Sequence, residues 1–197
     1  MRKLKIDYVS YLKSNPDFRF CIIDPPWCYN QKNSKLQTNT ANATNYEYWG
    51  KNNRKEVLGI LDLMPPSVDA LFIWTTNPML EATMLGIHES KNFRFRSLLT
   101  WEKKTVHGKQ AKVMAHYFLN CTEFLVFVIR KKPNKPINRL KMPTHFSYTK
   151  GERTTKPKEL ETQLINKLGD KWAYIFSGPF TDEFGGCDID LVDVCFE

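Results

Sequence analysis

An α/β fold with a mostly parallel sheet and helices on both faces is predicted by two features of the sequence. Apolar runs of strand length alternate with helical patterns along the chain, an order typical of parallel sheets covered by helices. The first run, Phe20–Ile23, leads directly into Asp24-Pro25-Pro26-Trp27, and open α/β sheets bind ligands at such strand exits. The 197 residues, 42% of them hydrophobic, are expected to form one domain over 1–197.

The first half of the chain supplies two strands and two helices. Arg19–Asp24 is predicted to be the first buried strand and Ala70–Thr75 the next, because both are continuous apolar runs. Between them, the spacing of apolar residues predicts a helix over Asn53–Met64, which a pair of prolines ends. A second helix is expected from Asn77, as its N-cap, to about Ser90.

The second half is predicted to hold four more strands and one helix. The helix begins near Pro157, because leucines recur at the spacing of one helical face, and Gly169 stands where a C-terminal cap belongs. The predicted strands are Phe95–Trp101, Phe124–Ile129, Trp172–Phe176 and Ile189–Val194.

Three polar segments are predicted to be loops: Tyr29–Asn52, Lys103–Ala115 and Lys131–Arg153. Loops of this length in a compact domain are usually functional or disordered. The last two are rich in Lys and Arg, and the net charge of +8 favours a polyanionic partner such as nucleic acid. Lys104 is therefore a candidate substrate contact, although ordinary solvated loops are the alternative.

Cysteine usage and hydropathy bear on the compartment. The five cysteines are odd in number and show no CxxC spacing, so neither a disulfide framework nor a zinc site is indicated. No apolar run reaches membrane-spanning length, and no signal peptide is recognisable. These features predict a reducing, cytoplasmic or nuclear location, no metal and no membrane partner.

The segment Asp24-Pro25-Pro26-Trp27 is suited to binding an amine. Two consecutive prolines remove two N–H donors, so the turn offers only carbonyl oxygens beside the Asp24 carboxylate. The exocyclic amine of adenine could donate to Asp24 and to the Pro25 carbonyl while its ring stacks near Trp27. Trp27 has a simpler alternative as a core aromatic residue. The chemistry suggested is amine methylation, with these four residues in the catalytic set.

Four sequence blocks then carry a resemblance to a known family. They are Asp24–Trp27, Leu71–Leu80, Leu98–Lys103 and Thr155–Leu160. In this order they resemble the S-adenosylmethionine-dependent adenine N6-methyltransferases that include the catalytic subunit of the eukaryotic messenger-RNA adenosine methyltransferase. The resemblance implies a Rossmann-like methyltransferase fold, S-adenosylmethionine as cofactor, and DNA or RNA as substrate. DNA is slightly favoured because the chain is compact and shows no accessory RNA-binding motif.

The same resemblance implies several cofactor contacts. Lys103, in the family's tryptophan-x-lysine block, would lie near the methionine moiety of the cofactor. Asp7 and Tyr8 stand about one element before the tetrapeptide, where relatives place an aspartate that holds the cofactor adenine. Asp24 is assigned to the cofactor-binding set as well as to the catalytic one.

The C-terminus departs from the family pattern. Relatives commonly carry an arginine after the late strand and end with a glycine-asparagine-glutamine block near the cofactor ribose, and neither is present here. Ser177, Gly178 and Asp193 are the candidates for these contacts. For Asp193 the expectation is that an acidic side chain binds the ribose hydroxyl groups, as in other nucleotide-binding folds.

Substrate contacts are expected from four residues. Tyr46 resembles the tyrosine of the family's substrate loop, His116 is a candidate base contact or a structural residue, and Trp27 and Lys104 complete the set. Glu123 lines up with an acidic position of the family and receives no role from the sequence.

Two other functions remain open at this point. The family includes catalytically silent subunits that bind nucleic acid and support an active paralogue, and the altered C-terminus is compatible with such a role. Retention of Asp24–Trp27 argues against it. A methyltransferase that acts on a protein side-chain amide or a small amine explains the basic loops less well. An oligomer with an identical or related subunit is a further expectation, since this short chain shows no separate target-recognition domain.

Overall fold

A computed structural model describes residues 18–28, 52–114, 117–151, 155–169 and 172–175, and the backbone of 190–191. Its α-helices are α1 (Asn53–Leu63), α2 (Leu80–Glu89) and α3 (Lys158–Leu168). Its strands are β1 (Phe20–Ile23), β2 (Ala70–Thr75), β3 (Phe93–Lys104), β4 (Thr122–Arg130), β5 (His145–Thr149), β6 (Trp172–Ile175) and β7 (Asp190–Leu191).

These seven strands form one sheet in the order β5-β3-β4-β2-β1-β6-β7. β4 runs antiparallel to both of its neighbours, β2 and β3, whereas the other pairings are parallel. The predicted mostly parallel sheet is therefore confirmed. Because only β4 is reversed, its first residues lie at the same edge of the sheet as the last residues of β1, β2 and β3.

The core lies on both faces of this sheet. On one face, α1 and α2 bury Val57, Leu61 and Ile87 in a cluster with side chains of β1, β2 and β4. On the other face, α3 buries Leu160 and Leu164 against the alternate residues of the same strands. The strands read as continuous apolar runs because side chains that point to either face are buried. Helices on both faces, as predicted, are confirmed.

Two of the predicted loops contain strand. β5 lies inside the segment Lys131–Arg153, and β3 continues to Lys104, into the segment Lys103–Ala115. β5 escapes prediction because it is a short edge strand in which Phe146 is buried and its neighbours are exposed or half-buried. Its backbone pairs in parallel with β3. Because this pairing requires no apolar run, the sequence of β5 does not indicate a strand.

The helix boundaries were predicted with one error. Asn77 is not an N-cap: it opens a 3₁₀ turn, Asn77–Met79, and α2 follows from Leu80. Its side-chain amide instead donates to Asn120 Oδ1 at 3.3 Å. Gly169 caps α3 as predicted, with a φ of 86° and an N–H that donates to the Ile165 carbonyl at 2.8 Å. Glycine adopts this left-handed conformation without steric cost.

None of the helices in the described ranges combines the length and hydrophobicity that crossing a membrane requires.

α1 and α2 approach each other closely at Gly86. A β-carbon at this position would lie 2.8 Å from the Arg54 carbonyl oxygen and 2.9 Å from Val57 Cβ. Both distances are shorter than van der Waals contact, and one of the two neighbours is backbone. The packing of these helices therefore depends on glycine here.

Gly86→Ala is expected to destabilise the protein. Alanine would gain about 1 kcal/mol of helix propensity, but overpacking a core contact costs about 1–3 kcal/mol, so we expect a net loss of stability. Urea unfolding measures the change. Glu81→Ala, at an exposed position of α2, is the control and should shift stability by less than about 0.5 kcal/mol. A Gly86→Ala protein at least as stable as the wild type would contradict the close packing.

Candidate active site

Asp24 lies where β1 leaves the sheet. Its N–H donates to the Ile175 carbonyl of β6 at 3.0 Å. The Pro25 carbonyl accepts the Trp27 N–H at 2.8 Å, so Pro26 is the centre of a three-residue turn. A carbonyl oxygen has two lone pairs, and the Trp27 N–H uses one of those on the Pro25 oxygen.

Four charged side chains meet beside this turn. Lys156 Nζ lies 3.0 Å from Asp24 Oδ2 and 3.3 Å from Glu123 Oε2. Glu123 Oε1 in turn contacts the Lys103 ammonium group. We call Asp24, Lys156, Glu123 and Lys103 the charged network. Two carboxylates and two ammonium groups balance, so a set of buried charges that would otherwise be costly is neutral overall.

Each member of the charged network comes from a different part of the fold. Asp24 follows β1, Lys103 is the second-last residue of β3, Glu123 is the second residue of β4, and Lys156 precedes α3. The reversal of β4 is what places Glu123 at this edge. The network therefore assembles at the edge where the sequence predicted a ligand site.

Two tryptophan rings and partial burial shield the charged network from water. Lys156 Nζ lies 5.6 Å from the centre of the Trp74 ring, and Lys103 Nζ lies 5.3 Å from that of Trp101. The side chains of Lys156 and Asp24 are 14% and 21% exposed. Electrostatic interactions are stronger in such an environment than in water.

The pKa values of the network follow from burial and charge. Burial raises the pKa of the Asp24 carboxyl, and the Lys156 ammonium offsets only part of that rise. Burial alone would raise the pKa of Glu123 too, but its two lysine partners, Lys156 and Lys103, bring it below the usual value. Burial would lower the pKa of Lys156, yet the two carboxylates raise it. Asp24 is thus the carboxyl of the pair that takes up a proton more readily.

Glu161 is a further buried acid next to the network. It is 2% exposed on α3, and burial raises its pKa to about 8, while the Trp74 indole lowers it slightly and the negative charge of Asp24 raises it further. The carboxyl group is therefore largely protonated at neutral pH.

The structure locates only part of the predicted site. Asp24, Pro25 and Pro26 form the turn. Trp27 is 5% exposed and belongs to the core cluster under α1 and α2, which agrees with the alternative of a core aromatic residue. Lys104 Nζ pairs with Glu102 Oε1 at 2.7 Å. Seven predicted residues lie outside the described residues: Asp7, Tyr8, Tyr46, His116, Ser177, Gly178 and Asp193.

Lys156 and Glu161 were given no role by the sequence. Lys156 lies just before a helix N-terminus, where the helix dipole favours acidic residues. A lysine at this position therefore indicates that an acidic side chain pairs with it. Glu161 interrupts the buried face formed by Leu160, Leu164 and Ile165. Because acidic residues are seldom fully buried, an acid on an apolar helix face indicates an unusual environment.

Comparison with known families identifies the chain. The model of the MT-A70 family matches residues 18–175. The chain belongs to the MT-A70 family. The match spans β1 to β6 and includes every member of the charged network. The family, the methyltransferase class and S-adenosylmethionine as the cofactor, all expected from the sequence blocks, are thereby confirmed.

Solved structures agree on the fold of this MT-A70 chain. The crystal structure of the M1.HpyAVI–SAM complex aligns with a TM-score of 0.55 at 16% identity, covering 90% of this chain and 81% of that one. The structure of M1.HpyAVI aligns with a TM-score of 0.53 at 12% identity, covering 90% and 79%. These matches confirm the Rossmann-like α/β fold. Among curated proteins, none matches the chain.

The donor set of the charged network suits S-adenosylmethionine. The cofactor carries a carboxylate, an ammonium group and a sulfonium centre, and the network offers both lysine and carboxylate side chains of matching charge. Lys103 and Asp24 are the described residues that would hold its methionine end. In the described ranges, no cluster of three or more His, Cys, Asp or Glu side chains is arranged to bind a metal ion.

Glu161→Gln is expected to remove a pH-dependent loss of stability. Because the folded-state pKa is about 8 and the ordinary value is near 4.5, the wild type should lose stability relative to Glu161→Gln as the pH rises from about 4.5 to 8. The loss amounts to about 1.4 kcal/mol for each unit between the two pKa values. Urea unfolding at pH 5 and pH 8 measures it. Glu159→Gln, at an exposed position of α3, is the control, and an equal response of the two variants would refute the buried, protonated carboxyl.

Proposed function

We propose that this MT-A70 chain, acting as a single domain, transfers a methyl group from S-adenosylmethionine to the exocyclic amine of adenine in a nucleic acid, with DNA slightly favoured over RNA. The observation that carries the proposal is the Asp24 carboxylate at the exit of β1, fixed by Lys156 at 3.0 Å beside an acceptor-only turn. The match of the MT-A70 family to residues 18–175 supports it.

The turn supplies two acceptors for one amine. Lys156 pairs with Asp24 Oδ2, and in our proposal Oδ1 accepts one amine hydrogen. The free lone pair of the Pro25 carbonyl accepts the other. Together these bonds hold the amine in place and favour a pyramidal nitrogen whose lone pair has left the ring. Alignment of this kind accounts for much of the rate in a displacement reaction.

The charged network is suited to stabilise the positive charge that develops on the amine during transfer. When bound, S-adenosylmethionine supplies an electrophilic methyl group attached to sulfur. As the amine gains positive charge, the nearby Asp24 carboxylate stabilises it, and the raised pKa of Asp24 makes Oδ1 a suitable acceptor for the proton that the amine loses. Glu123 holds Lys156 and Lys103 through its two oxygens and so positions the residue that fixes Asp24.

The target adenine must be unpaired and unstacked when it reaches Asp24. A base inside a duplex cannot present its amine to an enclosed carboxylate, so the adenine is flipped out or is already in a single strand. The net charge of +8 supports attraction of the phosphate backbone. The slight preference for DNA rests on the compact chain and on the absence of a recognisable accessory RNA-binding motif in its sequence.

Asp24→Ala is expected to abolish transfer. The substitution removes the acceptor of the amine hydrogen and the nearby negative charge, and losses on the order of 10³-fold are typical when such a group is removed. Labelled methyl transfer to matched single- and double-stranded DNA and RNA measures it.

Asp62→Ala, at an exposed position of α1, is the matched control and should keep full activity. Circular dichroism and thermal unfolding of both variants check that the fold is intact. If the wild type binds nucleic acid but neither binds nor consumes S-adenosylmethionine, the proposal is wrong and the chain is a silent partner subunit. Transfer to a protein or a small amine, with none to nucleic acid, would also overturn it.

Lys156→Met is expected to lower the transfer rate by about 10²-fold and to move the acid limb of its pH profile to higher pH. Without the ammonium group, the pKa of Asp24 rises further, because Lys103 alone then offsets burial and the negative charge of Glu123. The carboxylate needed as acceptor is therefore lost at a higher pH. The pH dependence of kcat measures the shift. Lys158→Met, at an exposed position two residues on, should leave both rate and profile unchanged, and an unshifted acid limb in Lys156→Met would contradict the role of Lys156.

A further inference from the structure

A group of large apolar side chains is exposed between β3 and β4. They lie in residues 105–114 and 117–121, which we call the connecting hairpin. Met114, Tyr117 and Phe118 are 85%, 92% and 83% exposed, and Val106 is 78% exposed. Apolar side chains exposed as a group generally mark a binding site.

Backbone hydrogen bonds pair described residues of the connecting hairpin with one another. Thr105 donates to the Lys109 carbonyl at 2.7 Å, and Val113 and Asn120 exchange two bonds of 2.8 Å each. Tyr117 and Phe118 lie two to three residues before Asn120, and the Asn77 amide, which donates to Asn120 Oδ1, joins Asn120 to the chain just after β2. These two aromatic side chains are therefore exposed close to a hydrogen-bonded pair of residues.

The connecting hairpin is joined to the active-site edge. It follows Lys104, the last residue of β3, and ends before Thr122, the first residue of β4, and the Lys103 N–H donates to the Cys121 carbonyl at 2.9 Å. Lys103 and Glu123 belong to the charged network. The connecting hairpin is therefore connected directly to two members of that network.

The charge of the connecting hairpin indicates which kind of partner it binds. Between Glu102 and Glu123 the sequence has four lysines and no acidic residue, and Lys109 and Lys112 are exposed on the hairpin. Protein interfaces are depleted in lysine. Sites for single-stranded nucleic acid combine lysines, which contact phosphates, with aromatic rings, on which bases stack.

We propose that the connecting hairpin binds a single-stranded stretch of the nucleic acid that flanks the target adenine. Bases stack on Tyr117 and Phe118, and Lys109 and Lys112 contact the phosphates. This inference rests on the proposed function for the identity of the target base, but binding by the hairpin requires no methyl transfer. It gives this short chain a substrate-reading surface on its own sheet.

Fluorescence anisotropy with labelled adenine-containing single-stranded DNA and RNA oligonucleotides tests the proposal without requiring catalysis. The Tyr117→Ala, Phe118→Ala double variant is expected to bind about 10- to 100-fold more weakly, since stacking of each base contributes appreciably. The Lys109→Ala, Lys112→Ala double variant should reduce the slope of log affinity against log salt by about 1.4, or about 0.7 for each phosphate contact.

Matched controls lie at the other end of β3. Phe95 is 41% exposed, and Lys91 and Arg94 are exposed, about 30 Å along the strand from the connecting hairpin. Phe95→Ala and the Lys91→Ala, Arg94→Ala double variant should bind within about twofold of the wild type, if contacts at the hairpin and not net charge decide binding.

Methylation assays separate this inference from the proposed function. If the proposal holds, the aromatic double variant raises KM for the oligonucleotide in proportion to the lost affinity and leaves kcat within about twofold. Unchanged affinity and KM in an active enzyme would overturn the inference and leave the function intact. No transfer by a wild type that still binds through the hairpin would overturn the function alone. A change of oligomeric state in light scattering, with nucleic-acid binding unaltered, would make the surface a subunit interface and refute the proposal.

Discussion

The bridge from the Lys156 ammonium to Asp24 and Glu123 is the interaction on which the site depends. Two carboxylates lie close together in a partly buried place, and each would be costly there without a positive charge beside it. Lys156 meets both, at 3.0 and 3.3 Å, and Glu123 joins Lys103 to the set. Lys156 thus fixes the Asp24 carboxylate, and together with Lys103 it sets the pKa order of the two acids and makes the site neutral.

The direction of β4 in the sheet makes this bridge possible. A parallel β4 would place its first residues at the opposite edge, far from Asp24. Because β4 is antiparallel to β2 and β3, Glu123 and the connecting hairpin lie at the carboxyl ends of the parallel strands, where ligands of α/β sheets bind. One reversed strand thus supplies both an acid for the charged network and a surface for the substrate.

Much of the fold could be predicted because its signals are local. The buried strands are continuous apolar runs, the face of α3 repeats leucine at helical spacing, and Gly169 marks the end of that helix. β5 and the role of Asn77 were missed for the opposite reason. An edge strand is ordered by a neighbour that is remote in sequence, and Asn77 bonds to Asn120 across the fold, so neither leaves a pattern in its own segment.

By itself, the sequence determined the α/β class, the Asp24-Pro25-Pro26-Trp27 turn at a strand exit, and the ordered blocks that mark an MT-A70 methyltransferase. Only the tertiary structure decided that Lys156 fixes Asp24, that Glu161 is buried and protonated at neutral pH, and that Trp27 lies in the core. The physical reason is that charge pairing and burial depend on which distant segments meet. Residue type and spacing specify the local backbone, whereas the pKa and the partner of a side chain are set by neighbours that only folding brings together.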